Sequence, residues 1–262
     1  MLGAIIGDII GSRFERNPTK NKKFKLFTEE SHYTDDSCMT IATMHSLIMG
    51  GKRGYSYKDM YQLYGLSNPD AGYGISFKEW IVNPVPYNSW GNGSAMRVSP
   101  IGWFFNTERE VLKEAKKSAE VSHNHKEGIK GAQAIALAVF YARKGKSKTF
   151  IKEQIEKRFK YDLNRSTNEI KKTYTFDVSC QGSVPEAIIC FLESNSFLDA
   201  IRRAVALGGD ADTLGAMAGS ISGAFYQKTS LNIINQIHSY LPSDFLYIIK
   251  QFEKQVGIKI LG

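Results

Sequence analysis

A chain of 262 residues can bury a sizeable core, and 42% apolar with 23% charged residues excludes a disordered protein. The formal net charge of +8 sits largely in lysine-rich runs such as Lys20–Lys25 and Lys113–Glu120, usually the pattern of solvated faces and otherwise a field that attracts a polyanion such as a nucleic acid or a phosphate-bearing ligand. No Arg-rich helix, aromatic-interleaved groove or zinc-finger spacing accompanies them, which excludes sequence-specific nucleic-acid readout.

The first element, Leu2–Gly11, repeats small and apolar residues around Asp8. It lacks a basic leader and is interrupted by a charge, so it reads as neither signal peptide nor membrane span, and nothing else reaches spanning length. A loop over Arg13–Tyr33 leads to a helix over Ser37–Met49. "SYKD" at Ser56–Asp59 and "TERE" at Thr107–Glu110 are capping boxes, the second opening a helix over Val111–Val121. Asn83–Gly93 reads as a loop. "SHNH" at Ser122–His125 ends a helix, and the next runs to a stop at Gly145. A third loop is predicted over Tyr161–Thr173, and Lys171–Val178 alternates weakly as an extended segment. "SVPE" puts Pro185 in a first helical turn, and "SFLD" at Ser196–Asp199 opens a helix to Gly208. Asp210–Tyr226 is rich in Gly, Ala and Ser, as expected where helices pack closely. The pattern predicts one all-α domain over residues 1–262, with roughly ten helices. Cys38, Cys180 and Cys190 are odd in number and fit no disulfide framework, so they read as buried thiols of a reducing, cytoplasmic compartment.

Two clusters carry the chemistry. Thr34, Asp35 and Asp36 sit at the start of one apolar helix, and Asp210, Asp212 and Thr213 at the start of another. Each alone is explained by acidic residues complementing a helix dipole. Together they offer only hard oxygens, with no His or Cys beside them, which favours Mg²⁺ or Mn²⁺ over zinc. Crowded carboxylates raise one another's pKa unless cations neutralise them, and two divalent ions would do so. Between the clusters lies "SWGNGSAMR" at Ser89–Arg97, where Asn92 between two glycines allows positive φ and an anion-binding nest. "GYG" at Gly72–Gly74 is a weaker signal of the same kind.

With "GDIIGSRFE", "YTDDS", "GYG", "GNGSAMR", "SHNH", "SVPEAIICFL" and "GGDADTLGAMAGSISGAFY" in this order, the chain resembles the ADP-ribosylglycohydrolase family from Gly3 to about Tyr226. The resemblance implies a single compact orthogonal multi-helix domain with two Mg²⁺ ions (Mn²⁺ in some members). It also implies cleavage of the bond between the distal ribose of ADP-ribose and its acceptor. Carried over, Thr34, Asp35, Asp36, Asp210, Asp212 and Thr213 are metal ligands, and Glu15, Asp35 and Asp36 are catalytic, with Glu15 on a mobile loop. Gly74, Ser89, Trp90, Gly91, Asn92, Gly93, Ser94, Met96 and His123 line the substrate. Ala211 and Ser37 stand where the family often has Thr, and neither is an expected ligand. "GSRFE" and "SVPEAIICFL" are closer to the serine-linked branch than to the arginine-specific one, so a serine or acetyl linkage is favoured, with arginine second. The expected partner is ADP-ribose or an ADP-ribosylated protein, and a monomer is expected. Two other readings compete: a dinuclear-metal nucleotide phosphohydrolase, which would release AMP, and a catalytically silent ADP-ribose binder, which would have lost ligands.

Overall fold

A computed structural model describes residues 1–227 and 229–258. Their regular structure is fifteen α-helices and one 3-10 turn, Ser12–Phe14. No strand occurs among the described residues; Gly91 and Ser179 form an isolated antiparallel bridge. In chain order the helices are α1 Leu2–Gly11, α2 Asp35–Ile48, α3 Tyr57–Ser67, α4 Ile75–Val82, α5 Gly93–Met96, α6 Ser99–Phe104, α7 Glu108–Glu120 and α8 Lys126–Arg143. They continue with α9 Lys148–Phe159, α10 Thr167–Thr173, α11 Cys180–Leu192, α12 Phe197–Val205, α13 Ala211–Tyr226, α14 Leu231–Tyr240 and α15 Ser243–Val256. The excess over ten comes partly from short helices such as α5, α6 and α10, of four to seven residues, too short to display an apolar period.

Local signals explain most helix starts. Ser56 and Thr107 close capping boxes with Asp59 and Glu110, as the sequence predicts. Ser166 does the same with Glu169, and this box opens α10 inside the segment expected to be a loop. Another expectation fails at Pro185. Ser179, not Ser183, caps α11, so the proline lies inside the helix. "SHNH" likewise lies between helices: α7 stops at Glu120, and the His125 ring accepts from Glu127 N at 3.2 Å as the cap of α8. The expected extended segment is irregular, yet it docks on the glycine loop through Asn92 N to Val178 O (2.8 Å) and Cys180 N to Trp90 O (2.9 Å). Cys38, Cys180 and Cys190 are free and buried. No helix of the described residues is long and apolar enough to cross a membrane.

The core is organised on α13, which packs against α1, α8, α11 and α12. Its contact with α1 is made backbone to backbone. Gly3, Gly7 and Gly11 repeat every fourth residue along one face of α1, and Ala211, Gly215 and Gly219 do so along α13. A Cβ on Gly7 would lie 2.0 Å from the Gly215 carbonyl oxygen, and one on Gly3 2.2 Å from that of Gly219. Only hydrogen fits there. This approach brings the end of α1, with Asp8 on it and Glu15 just past the 3-10 turn, to the start of α13, with Asp210 at its cap and Asp212 in its first turn.

Gly7→Ala is therefore expected to destabilise the fold by about 1–3 kcal/mol, because backbone rather than a movable side chain blocks the methyl group. Gly223→Ala is the control: its Cβ would meet Gly3 Cα at 3.3 Å, and alanine's helix preference of about 1 kcal/mol offsets that pressure. Thermal melts of the two variants should separate by several degrees, with Gly7→Ala the lower.

Candidate active site

The two Asp clusters, 177 residues apart, meet. Thr213 at the start of α13 donates its hydroxyl to Asp36 Oδ2 at the start of α2, at 3.1 Å. Carboxylate oxygens of Asp8, Asp36 and Asp212 come within 4.8 Å of one another, and so do those of Glu15, Asp210 and Asp212. Asp212 belongs to both groups.

Asp8 was not anticipated as part of the site. It is fully buried and accepts four hydrogen bonds. Two come from Thr34, from N at 3.0 Å and Oγ1 at 2.7 Å. Two come from Ser37, from N at 3.0 Å and from Oγ. Asp8 thus caps α2 from a neighbouring helix and holds its first turn in place. The available signal was a lone carboxylate in an apolar helix, which needs partners wherever it is buried.

A cleft of about 570 Å³ opens over the clusters. Glu15, Asp35, Asp36, Asp210, Asp212 and Thr213 line one part of it. Gly74, Ser89, Trp90, Gly91, Asn92, Gly93, Met96 and His123 line the rest. Two expected residues lie outside the lining. Thr34 turns its hydroxyl to Asp8, and Ser94 donates to Gly128 O at 2.7 Å. Missed residues at the cleft include Tyr87, Arg97, Phe176 and Val178. Phe176 and Val178 sit on the docked irregular segment, and with Ile75 and Trp90 they give the mouth an exposed apolar rim.

The glycine loop differs from expectation in its backbone. Asn92 has φ −71°, and neither Gly91 nor Gly93 takes positive φ. Their lack of Cβ serves close approach instead: a Cβ on Gly93 would sit 3.0 Å from His123 Nε2. The Asn92 side chain donates to Asp210 Oδ2 at 2.7 Å, so the loop and the carboxylates are one structure. The loop is pinned behind by Tyr87 N to Ser122 O (3.3 Å) and Asn88 N to Asn124 Oδ1 (2.7 Å).

Burial dominates the electrostatics. It pushes the carboxyl groups of Asp36 and Asp212 well above the usual range, and the neighbouring carboxylates add to it. Asp35 is pushed up to about 8 by burial, then by the charges of Asp8 and Asp210. Glu15 is raised by burial and then by Asp210. Asp8 and Asp210 are also raised by burial, against the pull of their hydrogen bonds. Asp36 Oδ1 is buried without a hydrogen-bond donor. An orphaned carboxylate oxygen among other hard oxygen donors fits a divalent cation of the Mg²⁺ or Mn²⁺ type.

Residues 1–239 match the ADP-ribosylglycohydrolase family model. ADP-ribosylhydrolase ARH3 of Homo sapiens is 28% identical, with 86% of this chain aligned to 84% of that protein. ADP-ribosylarginine hydrolase Tri1 of Pseudomonas putida is 24% identical, over 86% of this chain and 69% of that protein. A solved ADP-ribosylglycohydrolase-related protein complex contains a chain of the same fold, with a TM-score of 0.68 at 22% identity, covering 98% of this chain and 92% of that one. The matched span runs from the glycine stripe of α1 past the last carboxylate of the cleft, and the chain belongs to the ADP-ribosylglycohydrolase family.

Proposed function

We propose that the chain hydrolyses the glycosidic bond between ADP-ribose and its acceptor, with two Mg²⁺ ions, or Mn²⁺, held by Asp35, Asp36, Asp210, Asp212 and Thr213, and by Thr34 once its hydroxyl turns from Asp8 toward the cleft. The chain is an ADP-ribosyl hydrolase by family. The observation that carries the reading is the meeting of two distant carboxylate clusters beneath a glycine loop in one cleft. The ions, when bound, would supply fixed positive charge and Lewis acidity against which the distal ribose hydroxyls orient. Bond breaking at the anomeric carbon passes through an oxocarbenium-like state, and the leaving atom needs a proton. Glu15 lines the cleft with its pKa raised, which suits a carboxyl group that holds a proton to donate. Burial alone would keep Asp35 and Asp36 protonated; with cations offsetting the crowded charge they ionise, and one of them then takes the proton of the attacking water. The Ser89–Gly93 loop and Trp90 receive the diphosphate and adenosine side. A serine or acetyl oxygen is the favoured leaving atom, since an alkoxide leaves poorly without a proton donor placed as Glu15 is.

Three outcomes test this. Release of free ADP-ribose should need Mg²⁺ or Mn²⁺, and Asp212→Asn should abolish turnover while helical circular dichroism persists; full activity after exhaustive chelation, or AMP as product, sinks the reading. The second outcome concerns stability. A carboxyl whose pKa is higher folded than unfolded keeps its proton in the folded chain between those two values and loses it on unfolding. Raising pH across that window removes stability. In chelator the melting temperature should therefore fall from pH 5 to pH 8, the span set by Asp35 at about 8. Asp36→Asn or saturating Mg²⁺ should flatten the fall; an equal fall in all three samples refutes the carboxylate origin.

The third outcome concerns linkage. Serine-linked or acetyl-linked substrates should turn over faster than arginine-linked ones, and Glu15→Ala should lower that kcat by ~10²-fold or more, the range of a lost acid–base group. Turnover of arginine-linked substrate alone overturns the linkage and leaves the hydrolase standing.

A further inference from the structure

His123 stands at the glycine loop with its two ring nitrogens in different surroundings. Nδ1 is 2.7 Å from Ser122 Oγ. Nε2 faces Gly91 and Gly93, where missing Cβ atoms leave it open to the cleft. No hydrogen bond to Nε2 is found among the described residues. Which nitrogen carries the proton decides whether the cleft meets a donor or an acceptor.

The partners of Ser122 decide it. Ser122 Oγ lies 2.9 Å from Arg97 Nη2. A guanidinium nitrogen only donates, so the serine oxygen accepts there. Ser122 keeps one proton of its own. Among the described residues the remaining partner of Oγ is His123 Nδ1, and donating to it gives both the Ser122 hydroxyl proton and the Nδ1 lone pair a partner. The opposite assignment would load Ser122 Oγ with two donors and leave its own hydroxyl proton, fully buried, without an acceptor.

Arg97 is suited to a fixed role. It is fully buried, its other bond from Nη2 goes to Ser118 O at 2.9 Å, and its guanidinium lies 4.0 Å from the centre of the Tyr61 ring. No carboxylate lies in ion-pair range of it among the described residues. We infer that Arg97 and Ser122 are positioning residues that lock His123 as the Nε2–H tautomer, aiming a neutral donor at an anionic group of the substrate held on the glycine loop. The relay rests on the functional reading only for the identity of that anion. Burial and the charge of Arg97 hold the His123 pKa well below its usual value, so the ring stays neutral at working pH.

The experiment reads the tautomer directly. Protein labelled with ¹⁵N-histidine gives ring-nitrogen shifts for His123, assigned by loss of its signals in His123→Gln. In the metal-bound wild type without ligand, Nε2 should show the shift of a protonated nitrogen and Nδ1 that of an acceptor, unchanged from pH 6 to pH 9. Ser122→Ala, a small change in a buried site, should mix the tautomers and weaken ADP-ribose binding about tenfold, the size of one lost hydrogen bond to a charged group. Ser122→Thr keeps the hydroxyl and should restore both. An Nδ1–H tautomer or an imidazolium in the wild type overturns the relay, as does a Ser122→Ala protein with wild-type shifts and affinity. A chain that shows the Nε2–H tautomer yet binds no ADP-ribose sustains the relay and overturns the functional reading instead.

Discussion

The approach of α1 to α13 is the constraint on which the site depends. Two helices whose surfaces touch through glycine can lie closer than helices separated by side chains. Here the stripe Gly3, Gly7, Gly11 meets Ala211, Gly215 and Gly219 with no room for a Cβ. Glycine in a helix interior carries a cost of about 1 kcal/mol per residue relative to alanine. Such a stripe is kept for what it brings together. The end of α1 and the adjoining turn deliver Asp8 and Glu15, and the start of α13 delivers Asp210 and Asp212. A methyl group at Gly3 or Gly7 would press on the backbone of Gly219 or Gly215 and move these carboxylates apart without touching any of them.

That geometry concentrates negative charge where water is scarce, and the surroundings offset it in different ways. Asp8 is satisfied from within the chain by Thr34 and Ser37 and serves as a structural cap. Asp210 accepts from Asn92, and Asp36 accepts from Thr213 and, at 3.5 Å, from Thr34, both on Oδ2, which leaves Oδ1 bare. The gradient runs from a fully partnered carboxylate behind the site to an unpartnered oxygen at its centre. That gradient separates Asp8, a supporting residue, from Asp36 and Asp210, candidate ion ligands, although all three are deeply buried and raised in pKa.

Much of this was legible in the sequence, and the parts that were not share a reason. Capping boxes at Ser56 and Thr107, the small-residue face of α13 and the pairing of two Asp/Thr clusters are local patterns with a physical meaning that does not depend on distant residues. The misplaced features depend on tertiary partners. Asp8 reads as an interruption of an apolar helix until the first turn of α2 arrives to bond it. Gly91 and Gly93 suggest positive φ, yet they are small for the sake of His123, thirty residues on. Pro185 sits inside α11 because Ser179 caps the helix a turn earlier than the proline alone implies. Arg97 looks like an ordinary end to "GNGSAMR", and its burial among Tyr61, Ser118 and Ser122 cannot be read from its neighbours in sequence.

Asn92 joins the two halves of the cleft. Its side chain holds Asp210, while the glycines on either side of it face His123. One flank of this residue is rich in carboxylates and suited to cations and hydroxyl groups. The other presents an imidazole backed by a buried guanidinium, suited to an anion. A ligand that fits both flanks has a hydroxyl-bearing sugar at one end and phosphate next to it, in that order. A phosphohydrolase that places the scissile phosphate among divalent ions would gain nothing from a separate, metal-free donor on the far side of Asn92. The division of labour across this residue therefore favours chemistry at the sugar, with the phosphates held away from the reacting carbon. The loop's attachment to Ser122 and Asn124 behind it keeps the two flanks in register.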